Sequence, residues 1–464
     1  MRKLGLMWKN GVSFLLALSF LLLLTTSFIG CSKSDDAVVG SATPAFSAAT
    51  ISGFTAAVDF AFVNDPTASP TASVAKADVP LINERVNSFA LVGPVTHKRG
   101  LSVAVYKDGY QMWTDAKGFA DGGTDWSIDA LTGTAMTTTT PTFAYSITKT
   151  FVSALVLTQI EAGLYSLTDT VDSLLGSNAD YLALSVGQQA LINKTATVAQ
   201  LLTHTSGMLD YAGNLTAEIG MCNPDTTTWK PADILEHVVY QALVAPGTFH
   251  YSNTNYVLLG MIAQQMDPSH RTLNTLLAAN FFTPLGITAI LAPQDVFPPA
   301  GIAHPYENLA VLGGSGFADF SIILPLAYSG PPPYNIYLGI GRSTWAAGGI
   351  ITTAANLAKW GYELYDQDGS AITDAVRATL KNSATTDGAY GYGINYNNFT
   401  YTDSTIGGEY SHGGSAPGYK TLLVYEKTKG ITVAIITNVN NSADGTGLIN
   451  QWHLAEAIFN AYKE

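Results

Sequence analysis

The stretch "FAYSITKTFVSALVLTQIEAGL", residues 143–164, places a serine and a lysine at the start of an almost entirely apolar segment. From Phe151 to Leu164 nearly every residue is apolar or small, which predicts a helix buried in the core. Residues three positions apart lie on the same face of a helix, so Lys149 can reach the hydroxyl of Ser146. A lysine can remove the proton of a serine hydroxyl if burial lowers its pKa. The spacing therefore favours a nucleophilic serine, although a serine that caps a helix has the same pattern.

The composition predicts a large core and excludes nucleic acid as a partner. The chain has 464 residues, of which 47% are hydrophobic and only 12% are charged. This length is enough for two or three ordinary domains or for one large composite domain. The formal net charge is −13, whereas binding to phosphate groups needs a basic surface. The composition does not indicate an oligomeric state.

Residues 1–30 have the pattern of a lipoprotein signal peptide. The positive charges of Arg2, Lys3 and Lys9 precede the apolar run "VSFLLALSFLLLLTTSF", and "FIGCSKSDD" then brings Cys31 after small residues. We expect a lipid on Cys31 and a location at the bacterial cell envelope, on the periplasmic or cell-surface side, with the membrane as a partner through this anchor. An uncleaved transmembrane anchor is the alternative. Besides Cys31 the chain has one other cysteine, Cys222, so no internal disulfide framework is expected.

The segment after the lipid-bearing cysteine differs in texture from the rest of the chain. Residues 31–77 are rich in Ala, Ser and Thr, show no helical period and are predicted to form a tether, although "FTAAVDFAFV" could pack on the following domain. The domain itself is predicted to span residues 78–464, with a helix at "PLINERVNSFAL" near its start. Residues 280–345, rich in Pro, Gly and Tyr, are expected to form loops, either over the site or as a surface connection.

The two ends of this domain both predict strands. "GLSVAVYKDGYQMWTDAKGFAD" (100–121) has the pattern of two strands joined by a Lys-Asp-Gly turn, and "YKTLLVYEKTKGITVAIITN" (419–438) has that of another strand pair. "NQWHLAEAIFNAYKE" (450–464) predicts an amphipathic closing helix. Strands at both ends of a helical middle predict one domain whose sheet is built from both termini. The expected parts are a sheet lobe at about 78–145 and 346–464 and a helical lobe at about 146–345.

Three further stretches give the serine and lysine a context. "AQLLTHTSGMLDY" (199–211) ends a helix in a Thr-rich loop, "PGTFHYSNTNYVLLGMIAQQM" (246–266) sets Tyr251 and Asn253 before an apolar helix, and "YSHGGSAPGYKTLLVY" (410–425) sets His412 directly before a strand. In this order S-x-x-K, Y-x-N and H-x-G resemble the serine β-lactamase-like family. That family includes class C β-lactamases, D-Ala-D-Ala carboxypeptidases, D-aminopeptidases and β-lactamase-like esterases. The resemblance spans roughly residues 80–464.

The resemblance implies an α+β fold with a β-lactamase/transpeptidase-like architecture: an antiparallel sheet flanked by helices on both faces, plus a mostly helical lobe. It implies that Ser146 is the acylated nucleophile and that Lys149 accepts its proton or holds the hydrogen-bond network. Tyr251 would pass a proton to the leaving group, and Asn253 would bind the substrate amide and orient Lys149. The further residues implied in binding and in the oxyanion hole, through the backbone N–H groups of Ser146 and Ser415, are His412, Gly413, Gly414 and Ser415. The glycines would let the substrate approach the strand without meeting a Cβ.

His412 is the informative departure from the pattern, because β-lactamases of this family usually have lysine there. A histidine is mostly neutral near pH 7, so it can donate a hydrogen bond but attracts a carboxylate less than lysine does. This favours a peptidase or an esterase over a β-lactamase. A structural histidine is the alternative, and His204 in "THTSG" is interpreted as structural. The other histidines show no metal-binding spacing, so neither a metal nor another cofactor is expected.

The sequence therefore predicts a serine hydrolase that forms an acyl-enzyme and acts on a small-molecule, peptide or ester substrate. A D,D-carboxypeptidase-like or D-aminopeptidase-like activity, or an esterase activity, fits best. The alternatives are a β-lactamase and a non-catalytic wall-binding or surface-binding protein that keeps the fold. No G-x-S-x-G motif indicates the α/β-hydrolase route to the same chemistry.

Overall fold

A computed structural model of the protein describes residues 43–63, 100–121, 133–212, 229–238, 244–291, 300–308, 317–319, 336–401, 404–416, 418–440 and 450–464. The predicted signal peptide, Cys31, Cys222 and the helix predicted at "PLINERVNSFAL" lie outside the described residues. Among the residues that are described, no helix has both the length and the hydropathy needed to cross a membrane.

Most helices lie together in the middle of the chain, and most strands lie near its two ends. In chain order the helices are α1 (Ala48–Val63), α2 (Thr148–Glu161), α3 (Val171–Leu175), α4 (Ala179–Leu182), α5 (Val186–Leu191), α6 (Val198–Leu202), α7 (Ala232–Leu235), α8 (Asn253–Met266), α9 (Leu273–Leu277), α10 (Ile336–Gly348), α11 (Ala354–Tyr365), α12 (Asp374–Asn382) and α13 (Gln451–Ala461). The strands are β1 (Leu101–Tyr106), β2 (Trp113–Lys117), β3 (Thr142–Phe143), β4 (Ile290–Leu291), β5 (Tyr306–Asn308), β6 (Phe317–Asp319), β7 (Ile350–Thr352), β8 (Ala389–Tyr390), β9 (Asn395–Thr400), β10 (Ile406–Ala416), β11 (Tyr419–Glu426), β12 (Ile431–Thr437) and β13 (Val439–Asn440).

Seven strands form one antiparallel sheet in the order β2-β1-β12-β11-β10-β9-β8. The early strand β1 lies beside the late strand β12, with Val103 opposite Ile435. Gly109 has a φ of +78° in the turn between β1 and β2, a conformation that favours glycine. The two predicted strand pairs and their union in one sheet built from both ends are confirmed, as is the closing helix α13.

Helices cover both faces of this sheet because successive side chains of a strand point to opposite sides. Val103 and Val105 belong to a buried cluster with α13 and α1, whereas Ala104 belongs to the larger cluster that includes α11. On that second side α11 lies so close that a Cβ added at Gly361 would be 2.8 Å from Leu423. The predicted α+β arrangement, an antiparallel sheet between helices with an additional helical region, is confirmed.

The apolar stretch that opens the chain's helical region is α2, and it is buried from Thr148 to Leu157. It packs against α8, α10 and α12, so no side of its first turns faces water. Phe151 stacks on Trp360 of α11 with ring centroids 3.8 Å apart. Because α2 is enclosed on all sides, its sequence shows no polar stripe.

Part of the predicted tether is structured. Residues 48–63 form α1, and Phe54 and Val58 on its inner face are fully buried against the sheet and α13. Gly53 lies so near Ala461 of α13 that an added Cβ would come within 2.7 Å of its Cβ. The prediction of a tether without helical period is therefore wrong for this segment. Its inward stripe is Ile51, Phe54, Val58 and Phe62, of which only Phe54 and Val58 are fully buried, in an Ala-rich and Thr-rich background.

The prediction of loops over residues 280–345 is wrong for its last part. Residues 336–348 form α10, which is kinked at Trp345 (φ +31°, ψ −115°) and whose side chains Leu338 and Ile340 are buried. Packing against α2 and α8 stabilises this helix despite its glycine content, since tertiary contacts outweigh local propensity. Residues 292–299, 309–316 and 320–335 of the same stretch lie outside the described part of the chain.

Candidate active site

Ser146 lies in a 3₁₀ turn, Tyr145–Ile147, directly before α2. Tyr145 has a φ of +45°, a left-handed conformation that is strained for a bulky residue. Its buried ring packs against Phe143 and Tyr419, with centroids 6.0 Å and 5.8 Å away. These contacts hold the strained turn and leave the side chain of Ser146 half-buried at the surface of the core.

Lys149 follows one helical turn later and its side chain is completely buried. Its Nζ donates to Oγ of Ser146 at 3.0 Å, to Oδ1 of Asn253 at 2.7 Å and to the carbonyl oxygen of Ala347 at 2.7 Å. The predicted contact between serine and lysine is therefore present. Three acceptors match the three hydrogens of an ammonium group, which fixes the position of Nζ.

Burial lowers the pKa of Lys149 to about 7, and the negative charge of Asp210 partly opposes this shift. Burial also raises the pKa of the Asp210 carboxyl, while Lys149 and the hydrogen bonds from Asn253 and Ala212 act in the other direction. Both groups are thus moved towards their neutral forms, because the loss of hydration outweighs the attraction between the two opposite charges. A substantial fraction of Lys149 is neutral just above pH 7 and can accept a proton.

Asn253 is the first residue of α8 and connects Lys149 to Asp210. Asp210 Oδ1 accepts from the backbone N–H of Asn253 at 3.0 Å, and Oδ2 accepts from Asn253 Nδ2 at 2.9 Å. The amide oxygen of Asn253 is thereby directed at Lys149, which agrees with its predicted orienting role. Sequence reasoning missed Asp210, although it lies in the quoted segment 199–211 beside the "THTSG" motif.

Tyr251, two residues before Asn253, lies beside the lysine. Its ring centroid is 5.0 Å from Lys149 Nζ and 4.1 Å from the ring centroid of His204. The structure therefore brings Ser146, Lys149, Tyr251 and Asn253 to one place from two separate helices and a loop.

His412 lies inside β10, paired with Leu423, and not directly before a strand as predicted. The strand that follows it is β11, and Gly418 with a φ of +84° lies in the tight connection between the two. Nδ1 of His412 lies 2.6 Å from the carbonyl oxygen of Gly413. Because a carbonyl oxygen can only accept, Nδ1 carries the proton. Its Nε2 then accepts from the hydroxyl of Tyr390 at 3.0 Å.

This arrangement keeps His412 neutral. Burial, followed by the charge of Lys149, lowers the pKa of His412 to about 3. Its one ring N–H is used by Gly413, so it has none to donate to a substrate in this orientation. The predicted donation from His412 to a substrate would need a different ring orientation.

His204 is buried and has a φ of +55°, and its contacts agree with the structural interpretation. Its Nδ1 accepts from the backbone N–H of Ser252 at 3.2 Å, so Nε2 carries the proton and donates to the hydroxyl of Tyr390 at 3.2 Å. Tyr390 therefore links His204 to His412. No motif in the sequence indicated Tyr390, because it lies on β8, far along the chain from both the serine and the "THTSG" segment.

Gly414 is needed for packing within the protein. A Cβ at Gly414 would overlap Oγ1 of Thr421 and the carbonyl oxygen of Ala144. Packing alone is thus enough to require glycine here, and the expected role in access for a substrate stays a prediction. The close approach places the end of β10 against the turn that carries Ser146, with half-buried Gly413 before Gly414 and exposed Ser415 after it.

Within the described ranges, no three or more His, Cys, Asp or Glu side chains lie together where they could hold a metal ion. The charged centre of the site consists of Lys149 and Asp210, surrounded by aromatic rings. Tyr251 and Tyr256 both lie beside the ammonium group, with centroids 5.0 Å and 5.4 Å from Nζ.

Comparison of the sequence with known families gives a result that agrees with this arrangement of serine, lysine, asparagine and tyrosine. The family model Beta-lactamase matches residues 90–456. This chain belongs to the beta-lactamase family. It is a serine hydrolase of the beta-lactamase/penicillin-binding-protein-like family.

One relative and two solved structures illustrate what this beta-lactamase family member is similar to. Penicillin-binding protein 4 of Amycolatopsis lactamdurans is 24% identical over 355 residues, which cover 74% of this chain and 81% of the relative. The D-amino acid amidase of Ochrobactrum anthropi SV3 has a TM-score of 0.59 at 19% identity, over 78% of this chain and 92% of that one. A D-stereospecific amidohydrolase of Streptomyces sp. has a TM-score of 0.56 at 19% identity, over 89% and 98% of the two chains. These likenesses confirm the predicted fold.

Proposed function

We propose that this serine hydrolase forms an acyl-enzyme on Ser146 and hydrolyses small amides or esters, in the manner of a D-aminopeptidase, an amidase or an esterase. One observation supports this most directly. The Nζ of a fully buried lysine lies 3.0 Å from Oγ of Ser146 and is held there by Asn253 and Ala347.

In the proposed acylation step, neutral Lys149 takes the proton of the Ser146 hydroxyl while Oγ attacks the carbonyl carbon of the substrate. The bond to the leaving group then breaks, and the amine or alcohol departs with a proton that Lys149 returns through the hydroxyl of Tyr251. A water molecule next attacks the acyl ester, which releases the acid and restores Ser146. The ring of Tyr251 lies beside the lysine, with its centroid 5.0 Å from Lys149 Nζ, which supports the proposed transfer.

The backbone N–H groups of Ser146 and Ser415 are proposed to stabilise the oxyanion. Their elements are adjacent, because Gly414 packs on Ala144 in front of the serine turn. The strained φ of Tyr145 supports this role, since residues held in rare conformations cluster at sites that need exact geometry.

The proposed substrate class follows from His412. A carboxylate placed against this part of β10 would meet a neutral imidazole whose N–H is already used by Gly413. Substrates whose carbonyl carries an amide or ester without a neighbouring carboxylate are therefore favoured over β-lactams and C-terminal D-alanyl peptides. The structural likeness to a D-amino acid amidase supports this preference, whereas the relative named penicillin-binding protein 4 favours the D,D-carboxypeptidase-like alternative.

Intact-mass measurements with the purified protein test this proposal. A fluorophosphonate, a penicillin, p-nitrophenyl acetate and D-phenylalanine amide would each be incubated with the wild type and with Ser146→Ala. We expect a Ser146-dependent fluorophosphonate adduct and turnover of the amide or the ester. A long-lived penicilloyl adduct would instead favour the D,D-peptidase branch. A folded wild type that neither forms an adduct nor turns over any substrate would support the non-catalytic alternative.

We also propose that the protein is attached to the cell envelope through a lipid on Cys31. The support is the charged N-terminus, the apolar run and the small residues before Cys31. Metabolic labelling with an alkyne-bearing palmitate tests this. Cys31→Ser should lose the label, and Cys222→Ser, at the other cysteine, should keep it. Equal labelling of both variants would contradict the anchor.

A further inference from the structure

Asp210 is separated from the proposed catalytic Lys149 by Asn253, and its carboxylate accepts three hydrogen bonds. Its Oδ1 accepts from the backbone N–H groups of Asn253 and Ala212, both at 3.0 Å. Its Oδ2 accepts from Asn253 Nδ2 at 2.9 Å. The carboxylate thus grips both the backbone and the side chain of the first residue of α8.

These contacts select one orientation of the Asn253 amide. In the observed orientation Nδ2 faces the carboxylate and Oδ1 faces Lys149 Nζ at 2.7 Å. In the flipped orientation the amide oxygen would face the carboxylate, and the NH₂ group would face the ammonium group. Both contacts would then be repulsive, so Asp210 determines which atom of Asn253 meets the lysine.

The negative charge of Asp210 also affects the protonation of Lys149. The lysine is faced by the rings of Tyr251 and Tyr256, by Asn253 and Ser146, and by the carbonyl oxygen of Ala347. Two imidazoles, those of His204 and His412, interact with it electrostatically from other elements. Asp210 supplies the negative charge that favours the ammonium form in this set.

We propose that Asp210 is a positioning residue that holds Asn253 towards Lys149 and stabilises the proton on that lysine. The proposal rests on the proposed function of Ser146 and Lys149. Asp210 makes no contact with Ser146 among its hydrogen bonds, so it acts through Asn253 and through its charge. Its loss changes the pH at which the lysine becomes a base, as well as the place that the lysine occupies.

The test is the pH dependence of kcat/KM for a p-nitrophenyl ester in the wild type, Asp210→Asn and Asp210→Glu. Removal of the anion should move the acidic limb of the profile to lower pH by about one unit, because Lys149 then loses its proton more readily. The plateau should fall about tenfold, since an asparagine at this position no longer rejects the flipped amide of Asn253. Asp210→Glu keeps the charge and should keep the wild-type limb.

The matched control is Asp169→Asn, which alters another half-buried carboxylate that accepts a backbone N–H, from Ser166 at 2.7 Å. It should leave the limb and the plateau unchanged. If Asp210→Asn lowers kcat/KM equally at all pH values, Asp210 has only a structural role and the proposal is wrong. An unchanged profile in Asp210→Asn would also overturn it.

A readout without turnover separates this proposal from the proposed function. The titration of Lys149 can be followed by ¹³C NMR of the lysine Cε resonances, assigned with Lys149→Met. A lower titration midpoint in Asp210→Asn supports the charge role of Asp210 even if the wild type turns over no substrate. An unchanged midpoint overturns that role, whereas absence of Ser146-dependent turnover in the wild type contradicts the proposed function.

Discussion

The buried histidine His412 makes the stability of this protein depend on pH in a direction that can be calculated. The pKa of His412 falls from 6.5 to about 3 on folding, because burial and the charge of Lys149 disfavour the imidazolium. Below about pH 6.5 the unfolded chain therefore binds a proton that the folded chain does not bind until about pH 3. The free energy of unfolding falls as the pH falls through this window.

The size of the effect follows from the two pKa values. Between about pH 7.5 and about pH 5, protonation of this one histidine in the unfolded chain lowers the free energy of unfolding by about 2 kcal/mol. The pKa of His204 is also lowered by burial, so this residue acts in the same direction. Burial raises the pKa of Asp210, so a variant of His412 itself is needed to isolate the contribution of His412.

The assay is denaturant unfolding of the wild type and of His412→Asn at the two pH values. The loss of stability between about pH 7.5 and about pH 5 should be smaller by about 2 kcal/mol in His412→Asn. His270→Asn, at an exposed side chain with a φ of +48° that asparagine tolerates, is the matched control. Equal pH dependence in the wild type and His412→Asn would show that His412 gains its proton in the folded state. The hydrogen-bond arrangement with Tyr390 and Gly413 would then be wrong.

Four other changes have clear expected outcomes. Lys149→Met should lower kcat/KM for an ester by roughly 10²-fold to 10⁴-fold while the protein stays folded, and near wild-type turnover would refute its role as the base. Gly414→Ala should lower the free energy of unfolding by about 1–3 kcal/mol, since the new Cβ overlaps Thr421 and Ala144, whereas Gly187→Ala in exposed α5 should not. Phe54→Ala should cost about 3–5 kcal/mol in denaturant unfolding, and a neutral result would mean that α1 does not dock. Phe249, 54% exposed and 5.7 Å from the Tyr390 ring, lies at the mouth of the site. Phe249→Ala should raise KM for an aromatic substrate about fivefold with kcat and melting temperature unchanged, and equal KM values would exclude substrate contact.

Several parts of the fold could be predicted because their signals are local. β1 and β2 are two short strands joined by a turn with Asp108 and Gly109, and α2 begins where the apolar run begins. Helix α1 was missed because its buried stripe has few large residues and becomes favourable only against α13. Helix α10 was missed because its glycines lower the local helix propensity, while packing against other helices stabilises it. In both cases burial against distant residues outweighs the local signal.

The sequence by itself determined that Ser146 and Lys149 meet, because side chains three positions apart share a face of any helix. With the ordered Tyr251, Asn253 and His412 motifs it also indicated the family. The tertiary structure alone decided that Asp210 holds Asn253 from 43 positions away. It likewise decided that Tyr390 lies between two imidazoles, and that His412 has its N–H occupied. The physical reason is that hydrogen-bond partners and burial, which set charge and orientation in a site, arise between segments that the chain brings together only when it folds.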